Sequence, residues 1–355
     1  MRIERDKINR AKKSQYLSRT VKQLELDENT TVAELVESFS SMSIQARNIG
    51  MAAKIYEDML RDDERPIIFL GLAGPLIAAG LRKVIRDMIA KGIVDVVVST
   101  GAIIYQDFYQ ARGGEHFIGS PEMDDLELRE LIIDRIYDTL VDEEMFDDTD
   151  RFIGEFAESL ERRGYSSREF ISELAKTVRD EGSILKASSD HGVPIFIPAL
   201  NDSSIGIGLT TYYARHLNDE KMSIDPIKDN YEMTQIICKS KATSAIYVGG
   251  GIPKNYINDS VIMASFDFNA PIDGHKYAIQ ITTATPMDGG LSGSTLQEAK
   301  SWRKVGRDAS TSMAFVEASV GLPLIVGYVI GKGLYKGRKR ARFNFSDGGV
   351  ELSFV

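Results

Sequence analysis

One cysteine, one tryptophan and four histidines are all that 355 residues hold of the side chains that build disulfides, aromatic cages and metal centres. The single Cys238 excludes an internal disulfide framework and fits a reducing compartment. Within Ile236-Ile237-Cys238 it reads as a small buried hydrophobe. Four scattered histidines argue against a dedicated zinc centre, so no metal is expected. Long apolar runs are absent too. The longest, Ala318 to Gly331, is too short for a bilayer and contains Pro323. The opening stretch Met1 to Lys13 is charged with no apolar core, so no secretory signal is expected and the reading is cytoplasmic. A net charge of −9 argues against nucleic acid as the main partner. No Gly-x-Gly-x-x-Gly and no Gly-x-x-x-x-Gly-Lys-Ser/Thr occurs, which removes the two commonest nucleotide fingerprints.

What remains is an ordinary globular composition, 43% apolar and 27% charged, long enough to bury a sizeable core. Residues 1–30 are polar and read as an N-terminal arm. From Thr31 the pattern turns helical, and Ile44, Ile49, Ala52, Ala53, Tyr56 and Leu60 recur at the spacing of an amphipathic helix. Six short apolar runs follow, each ending in small or polar residues. They are Pro66–Leu70 before Gly71, Val94–Val98 before Ser99-Thr100-Gly101, and Val193–Ile197 before Pro198 and Asn201-Asp202. Then come Ala245–Val248 before Gly249-Gly250-Gly251, Tyr277–Ile281 before Thr282-Thr283-Ala284, and Met313–Val316 before Glu317-Ala318. Strands of this kind predict an α/β fold with an open, Rossmann-like parallel sheet flanked by helices. Ligands on such sheets lie beyond the carboxyl ends of the strands, so a nucleotide site is expected there. No internal repeat or linker divides the chain. The expected organisation is a helical arm over 1–30, a single nucleotide-binding domain over 31–335 and a basic tail over 336–355.

Two charge runs have bland readings. Lys336-Gly337-Arg338-Lys339-Arg340-Ala341-Arg342 reads as a solvated tail or subunit contact. Asp142-Glu143-Glu144 with Asp147-Asp148-Thr149-Asp150 reads as a solvated loop.

The chain's only tryptophan, Trp302, stands two residues before Lys304, behind the turn Gly293-Ser294 and the acidic Glu298. By spacing alone, Trp-x-Lys is a ring beside a solvated lysine. A lysine held against an indole and partly desolvated is also the kind of amine that attacks a carbonyl or imine carbon. The stretch Glu298-Ala299-Lys300-Ser301-Trp302-Arg303-Lys304-Val305 resembles the lysine-bearing segment of the deoxyhypusine synthase family. In that family the lysine forms an imine with an aminobutyl group taken from spermidine. The resemblance runs from about Thr31 to Tyr328. Gln45–Gly50, Leu70-Gly71 with Gly80, Val94-Asp95-Val96, Ser99-Thr100-Gly101, Pro198-Ala199-Leu200 with Asp202, Gly249-Gly250-Gly251 and Thr283-Ala284 follow in the family's order.

The resemblance implies an NAD site. Thr100, Gly101 and Ala102 match the family's Thr-Ala-Gly turn, Asp202 its cofactor-contacting aspartate and Gly250 its glycine run. Thr283, Ala284, Glu317 and Ala318 match the remaining contacts, and Gly74 to Ala78 match less closely. Glu317 stands where the family has aspartate, and either acid can accept both hydroxyls of a ribose. The substrate side departs from the pattern. The family's paired glutamates are Tyr105 and Gln106 here, two of its aspartates are Ile207 and Leu291, and its histidine, a proton acceptor, is Asn255. Asp107, Asp288 and Glu298 remain as acids, and His116 is a candidate base. A polyamine needs a carboxylate for each desolvated ammonium. These departures therefore imply poor use of spermidine.

The expected activity is NAD-dependent transfer of an alkylamine group through an imine on Lys304. Trp302, Glu298, Asn255, Tyr105 and Gln106 are expected to line the substrate side. The acceptor is expected to be a small amine or polyamine, as in homospermidine synthases, which resemble this family. Two alternatives stay open. One is true deoxyhypusine synthase, modifying a lysine of the hypusine-bearing translation factor; the other is an NAD-binding protein without chemistry. The family's assembly implies a homotetramer, with no membrane or nucleic-acid partner.

Overall fold

The computed structural model describes residues 9–346 and 349–355, so most of the charged opening run lies outside the described residues. Each apolar run becomes a strand of one sheet: β1 (Ile67–Leu72), β2 (Val96–Ser99), β3 (Ile195–Phe196), β4 (Thr243–Val248), β5 (His275–Ile281) and β6 (Val305–Ala314). Their order is β6-β5-β4-β1-β2-β3, and every neighbouring pair is parallel. The expected α/β architecture with an open parallel sheet is present.

The order has a consequence for function. Chain order runs outward from β1 to β3 on one side, then returns to the centre and runs from β4 to β6 on the other. The reversal falls between β1 and β4, where diverging connections leave a crevice above the carboxyl ends of the strands. Those ends are level: Leu72 pairs with both Ser99 and Val248, and Ile281 pairs with both Val248 and Ala314.

Period-two alternation sends each strand's side chains to two faces. Ile68, Leu70, Leu72, Val97, Ile246 and Val248 belong to one core, which contains Tyr56 and Met59 of helix α1 (Ile44–Arg61). Ile67, Phe69, Val96, Val98, Ala245 and Tyr247 belong to the other, with Met233 and Ile237 of α6 (Pro226–Lys239) and Ile257 and Val261 of α7 (Gly251–Phe266). Both faces are covered, as a parallel sheet requires. Edge strand β6 starts at Val305, well before the apolar run that predicts it. Its middle, Ser310-Thr311-Ser312, is polar because an edge strand is paired on one side only.

The remaining helices used below are α2 (Gly101–Ala111), α3 (Glu143–Glu158), α4 (Ile184–His191), α5 (Ser204–Arg215) and α8 (Ala318–Gly331). The helical pattern starting at Thr31 has a physical marker. Thr31 caps the helix Val32–Phe39 through a capping box with Glu34. The arm before it carries one short helix, Arg10–Tyr16, and exposes Tyr16, Leu17, Val21 and Leu26.

Two charge-run readings are corrected. The acidic run is the start of α3, not a loop. Asp142 accepts the N–H of Glu144 as N-cap, and Glu143 and Glu144 occupy the first turn, where carboxylates oppose the helix dipole. The basic run is not a solvated tail. Arg338 is buried and pairs with buried Asp95 at 2.8 Å, and Arg342 donates to the carbonyl of His191, the last residue of α4. Ala341–Ser346 (β7) then pairs antiparallel with Gly349–Phe354 (β8), and this pair packs on α6.

Candidate active site

Because all six strands are parallel and end level, the residues that follow them share one edge. Thr100, Gly101 and Ala102 follow β2, Gly250 follows β4, Thr283 and Ala284 follow β5, and Glu317 and Ala318 follow β6. Asp202, exposed, lies in the loop between β3 and α5. Close approaches join these turns. A side chain at Gly101 would strike Ser203, one at Gly249 would meet the carbonyl oxygen of Ala73 at 2.7 Å, and one at Gly250 would meet Cα of Ser292 at 2.5 Å. The ends of β1 and β4 thus touch at the point of strand-order reversal. Gly249, at φ +74°, makes the turn there that a residue with a Cβ resists.

The edge suits an anionic, hydroxyl-rich ligand. Thr100 and Gly250 are the N-caps of α2 and α7, and neither helix has a side-chain cap, which leaves its first N–H groups without a side-chain acceptor. Glu317 caps α8, its carboxylate accepting the N–H of Ser319 at 2.7 Å, and stays exposed. These residues fit a dinucleotide: two uncapped helix ends for the pyrophosphate, small residues at the crossover and an exposed acid for ribose.

Lys304 lies elsewhere. It precedes β6, and its carbonyl accepts the N–H of His275 at the start of β5. Six residue steps of β5 lead from His275 to Ile281 at the carboxyl edge, so the Lys304 backbone lies about 20 Å of strand from that edge. The side chain turns back along α7. Its Nζ is 3.0 Å from Oδ1 of Asn255 and 3.0 Å from Oδ1 of Asp259, and it lies 5.6 Å from the centroid of the Trp302 ring. Trp302 and Asn255 thus both stand beside the amine. Trp302 is 63% exposed, so the indole is an open wall and not a core ring. A cavity of about 480 Å³ opens beside the amine, lined by Ile252, Asn255, Tyr256, Asp259 and Leu291 among others.

Tyr105, Gln106, Asp107 and His116 sit apart from this amine. Tyr105 and Gln106 are buried in α2; the Tyr105 hydroxyl donates to the carbonyl of Phe146 in α3, and burial raises its pKa well above the ordinary phenol value. Both are packed between helices, because the turn of α2 that follows the strand end points them inward. Asp107 is fully buried and engaged: Arg82 pairs with it at 2.7 Å, and it accepts the N–H groups of Ile184 and Leu185 at the start of α4. It holds helices together and has no oxygen left for an amine. His116 lies beyond the far end of α2, about 16 Å of helix from the edge. Its Nδ1 bonds Gln110 and its ring meets the edge of Tyr109, so burial lowers its pKa as expected for a packed histidine. Glu298 is exposed and opens the short helix Glu298–Ser301.

Two residues near Lys304 were not anticipated from the sequence. Asp259 is one helical turn beyond Asn255 on α7, a spacing that was legible once the helix was placed. Asn255 Nδ2 donates to its second oxygen at 2.7 Å. Lys254 is 1% exposed, and its Nζ donates to Gln280 Oε1 at 2.9 Å, the Ser294 carbonyl at 2.5 Å and Ser294 Oγ at 3.0 Å. Burial, opposed by Glu298 and assisted by Lys304, pushes its ammonium down to about 8. It ties the Pro286–Ser294 loop to β5, and that loop covers Gly250.

The family model for deoxyhypusine synthase matches residues 34–329. A deoxyhypusine synthase-like protein of Chlorobaculum tepidum is 44% identical over 337 residues, covering 94% of this chain and 95% of the relative. "Probable deoxyhypusine synthase 2" of Methanosarcina acetivorans is 41% identical over 301 residues, covering 84% and 86%. Among solved structures, a deoxyhypusine synthase candidate from Entamoeba histolytica superposes with a TM-score of 0.62 at 21% identity, over 88% of this chain and 97% of that one, which speaks to fold alone. With the matched segment running from the first long helices to the end of α8, and the lysine-bearing stretch inside it, the chain belongs to the deoxyhypusine synthase family.

Proposed function

We propose that this protein is an NAD-dependent alkylamine transferase that works through an imine on Lys304, with a small amine or polyamine as acceptor. The observation that carries the reading is the Lys304 amine, 5.6 Å from the Trp302 ring centroid and held at 3.0 Å by Asn255 and Asp259, two residues that line a cavity of about 480 Å³. NAD, when bound at the strand ends, supplies a hydride acceptor and later a hydride donor for an amine carbon. Thr100, Gly101, Ala102, Gly250, Thr283, Ala284 and Ala318 let its backbone approach, and Asp202 and Glu317 offer carboxylates to its hydroxyls. Trp302 shields one side of the lysine from water, and Asn255 orients the amine.

The Lys304 amine stands beside the second turn of α7, whose N-terminus lies on the cofactor edge, and the reading includes assembly. In the family, active sites are completed across a dimer interface. Exposed Ile252, Leu291 and Trp302 around the amine suit burial against a second copy. A homotetramer is the expected state.

The test is covalent trapping. Borohydride added with NAD and an amine panel (spermidine, homospermidine, putrescine) is expected to leave one adduct, on Lys304. Lys304→Arg is expected to abolish turnover and leave NAD affinity intact, because a guanidinium stays protonated. Normal turnover by this variant would sink the reading. A second reading, modification of a protein lysine, is favoured by the Methanosarcina relative's name. It requires spermidine as donor. Here the acids that would pair its ammoniums are replaced by buried Tyr105 and Gln106 and by exposed Ile207 and Leu291. Spermidine cleavage at the efficiency of a natural substrate would favour this second reading.

A further inference from the structure

We infer that Asp259 is the acid–base residue of Lys304, the group that takes the lysine's proton and returns it to the departing amine. The inference deepens the proposed imine chemistry and rests on it. An imine exchange needs a proton acceptor at the nucleophilic nitrogen, and Asn255 cannot serve near neutral pH. His116 is packed against Tyr109 beyond the far end of α2. Among the described residues, Asp259 is the carboxylate within hydrogen-bond reach of Lys304 Nζ, at 3.0 Å. Its other oxygen accepts the amide N–H of Asn255 at 2.7 Å, and Asn255 Oδ1 accepts from the same Nζ at 3.0 Å. The three side chains close a ring in which Asn255 orients both partners. Asp259 is 48% exposed and lines the cavity, whereas the Lys304 side chain is 18% exposed. The carboxylate can therefore face both the nucleophile and an incoming amine.

The exchange balances without another reactant once the donor amine has been oxidised to its iminium by NAD. The Lys304 ammonium gives a proton to Asp259, leaving a neutral amine and a carboxylic acid. The Nζ lone pair then forms a bond to the iminium carbon, and the C=N π pair returns to the donor nitrogen. Asp259 delivers its proton to that nitrogen and takes back the one on Nζ. The bond to the donor nitrogen breaks as the Nζ lone pair forms the new C=N bond. Lys304 iminium, a free amine and protonated Asp259 result, with charge conserved. Return of the Asp259 proton to the free amine resets the carboxylate.

Other charged and titratable groups face this pair without replacing it. Lys254 lies on the buried side of α7 and is engaged by Gln280 and Ser294, with Glu298 acting on it from the following segment. Tyr256 presents a buried phenol, behind which lie Asp229 and Glu232 of α6. Arg303 points to the Phe266 ring.

The experiment uses butanal with cyanoborohydride on the full-length protein, needing neither NAD nor the natural amine. Alkylation is followed at Lys304 by mass spectrometry across pH 6–10, with Lys300 in the same sample as reference. Loss of a general base in Asp259→Asn should slow Lys304 by about a hundredfold or more near pH 7. The deficit should shrink as pH rises and hydroxide takes the base's place. Asp259→Glu should restore most of the rate, and added formate should restore part of it in Asp259→Asn. A merely structural role predicts a deficit that is the same at every pH, and that outcome overturns the inference. Faster alkylation in Asp259→Asn also overturns it, since a carboxylate that only pairs with the ammonium would free the amine on removal. Failure of the transferase reading is seen separately, as turnover by Lys304→Arg with the Asp259-dependent alkylation still present.

Discussion

At the scale of single residues, the sequence displayed the chemistry in types but not in partners. Lys304 and Trp302 were singled out by resemblance and not by spacing, and the amine lies 5.6 Å from the ring centroid. Lys254 could not be flagged, because a lysine four residues into a glycine-led helix reads as surface until its neighbours Pro253, Tyr256 and Ile257 prove buried. Its folded pKa lies below the ordinary 10.5, at about 8. The unfolded chain then binds the proton more tightly than the native one between those values, so native stability rises with pH across that window. Relative to Lys254→Met, the wild type is expected to gain on the order of 3 kcal/mol between pH 8 and 10.5. Urea melts at both ends of the window check it; a constant difference would mean the burial is relieved by water. Glu317→Ala is expected to weaken NAD by about 1.5–3 kcal/mol through loss of a charge-assisted contact. Calorimetry measures this, and a melt run beside it registers the separate loss of the α8 cap.

At the scale of elements, apolar runs ended by small residues located all six central strands, because burial on both faces leaves that signature. Charge runs misled, for one physical reason. A cluster of like charges is solvated unless tertiary structure brings it opposite charges or helix ends, and local sequence does not show those. Asp95 receives Arg65 and Arg338 together with the N–H of Ile68, and these hold its carboxyl well below the ordinary range despite burial. Arg338→Met removes one partner of a buried pair and is expected to cost about 3–5 kcal/mol, read by chemical denaturation. A depressed carboxylate pKa contributes stability that is present above the unfolded value and lost as pH falls through the folded one. The wild type should therefore lose more stability than the variant as pH drops below about 4, where unfolded Asp begins to protonate. A variant within 1 kcal/mol of wild type would show that the Arg338–Asp95 pair adds little to holding the C-terminal strand pair.

At the scale of the whole molecule, the proposed function has a consequence for assembly. If the cofactor edge of one copy serves Lys304 of another, Lys304→Arg is inactive alone, Glu317→Ala turns over poorly at limiting NAD, and mixed oligomers from co-expression recover activity at that NAD level. Turnover assays on the purified mixed species, with sedimentation to establish their size, decide this; no recovery in a mixed oligomer would place both residues in one chain's site. By itself the sequence determined the strand set, the parallel sheet, the family and the lysine-bearing segment, because burial and small-residue turns leave local patterns. Tertiary structure alone decided which polar residues face the amine. It placed Asp259 one turn past Asn255 and turned Tyr105, Gln106 and Asp107 into the packing between helices. It also set the Lys304 backbone at the opposite end of β5 from the cofactor edge and turned its amine back to the second turn of α7. Each of these depends on which face of a helix meets which neighbour, and that is settled by the whole core packing at once.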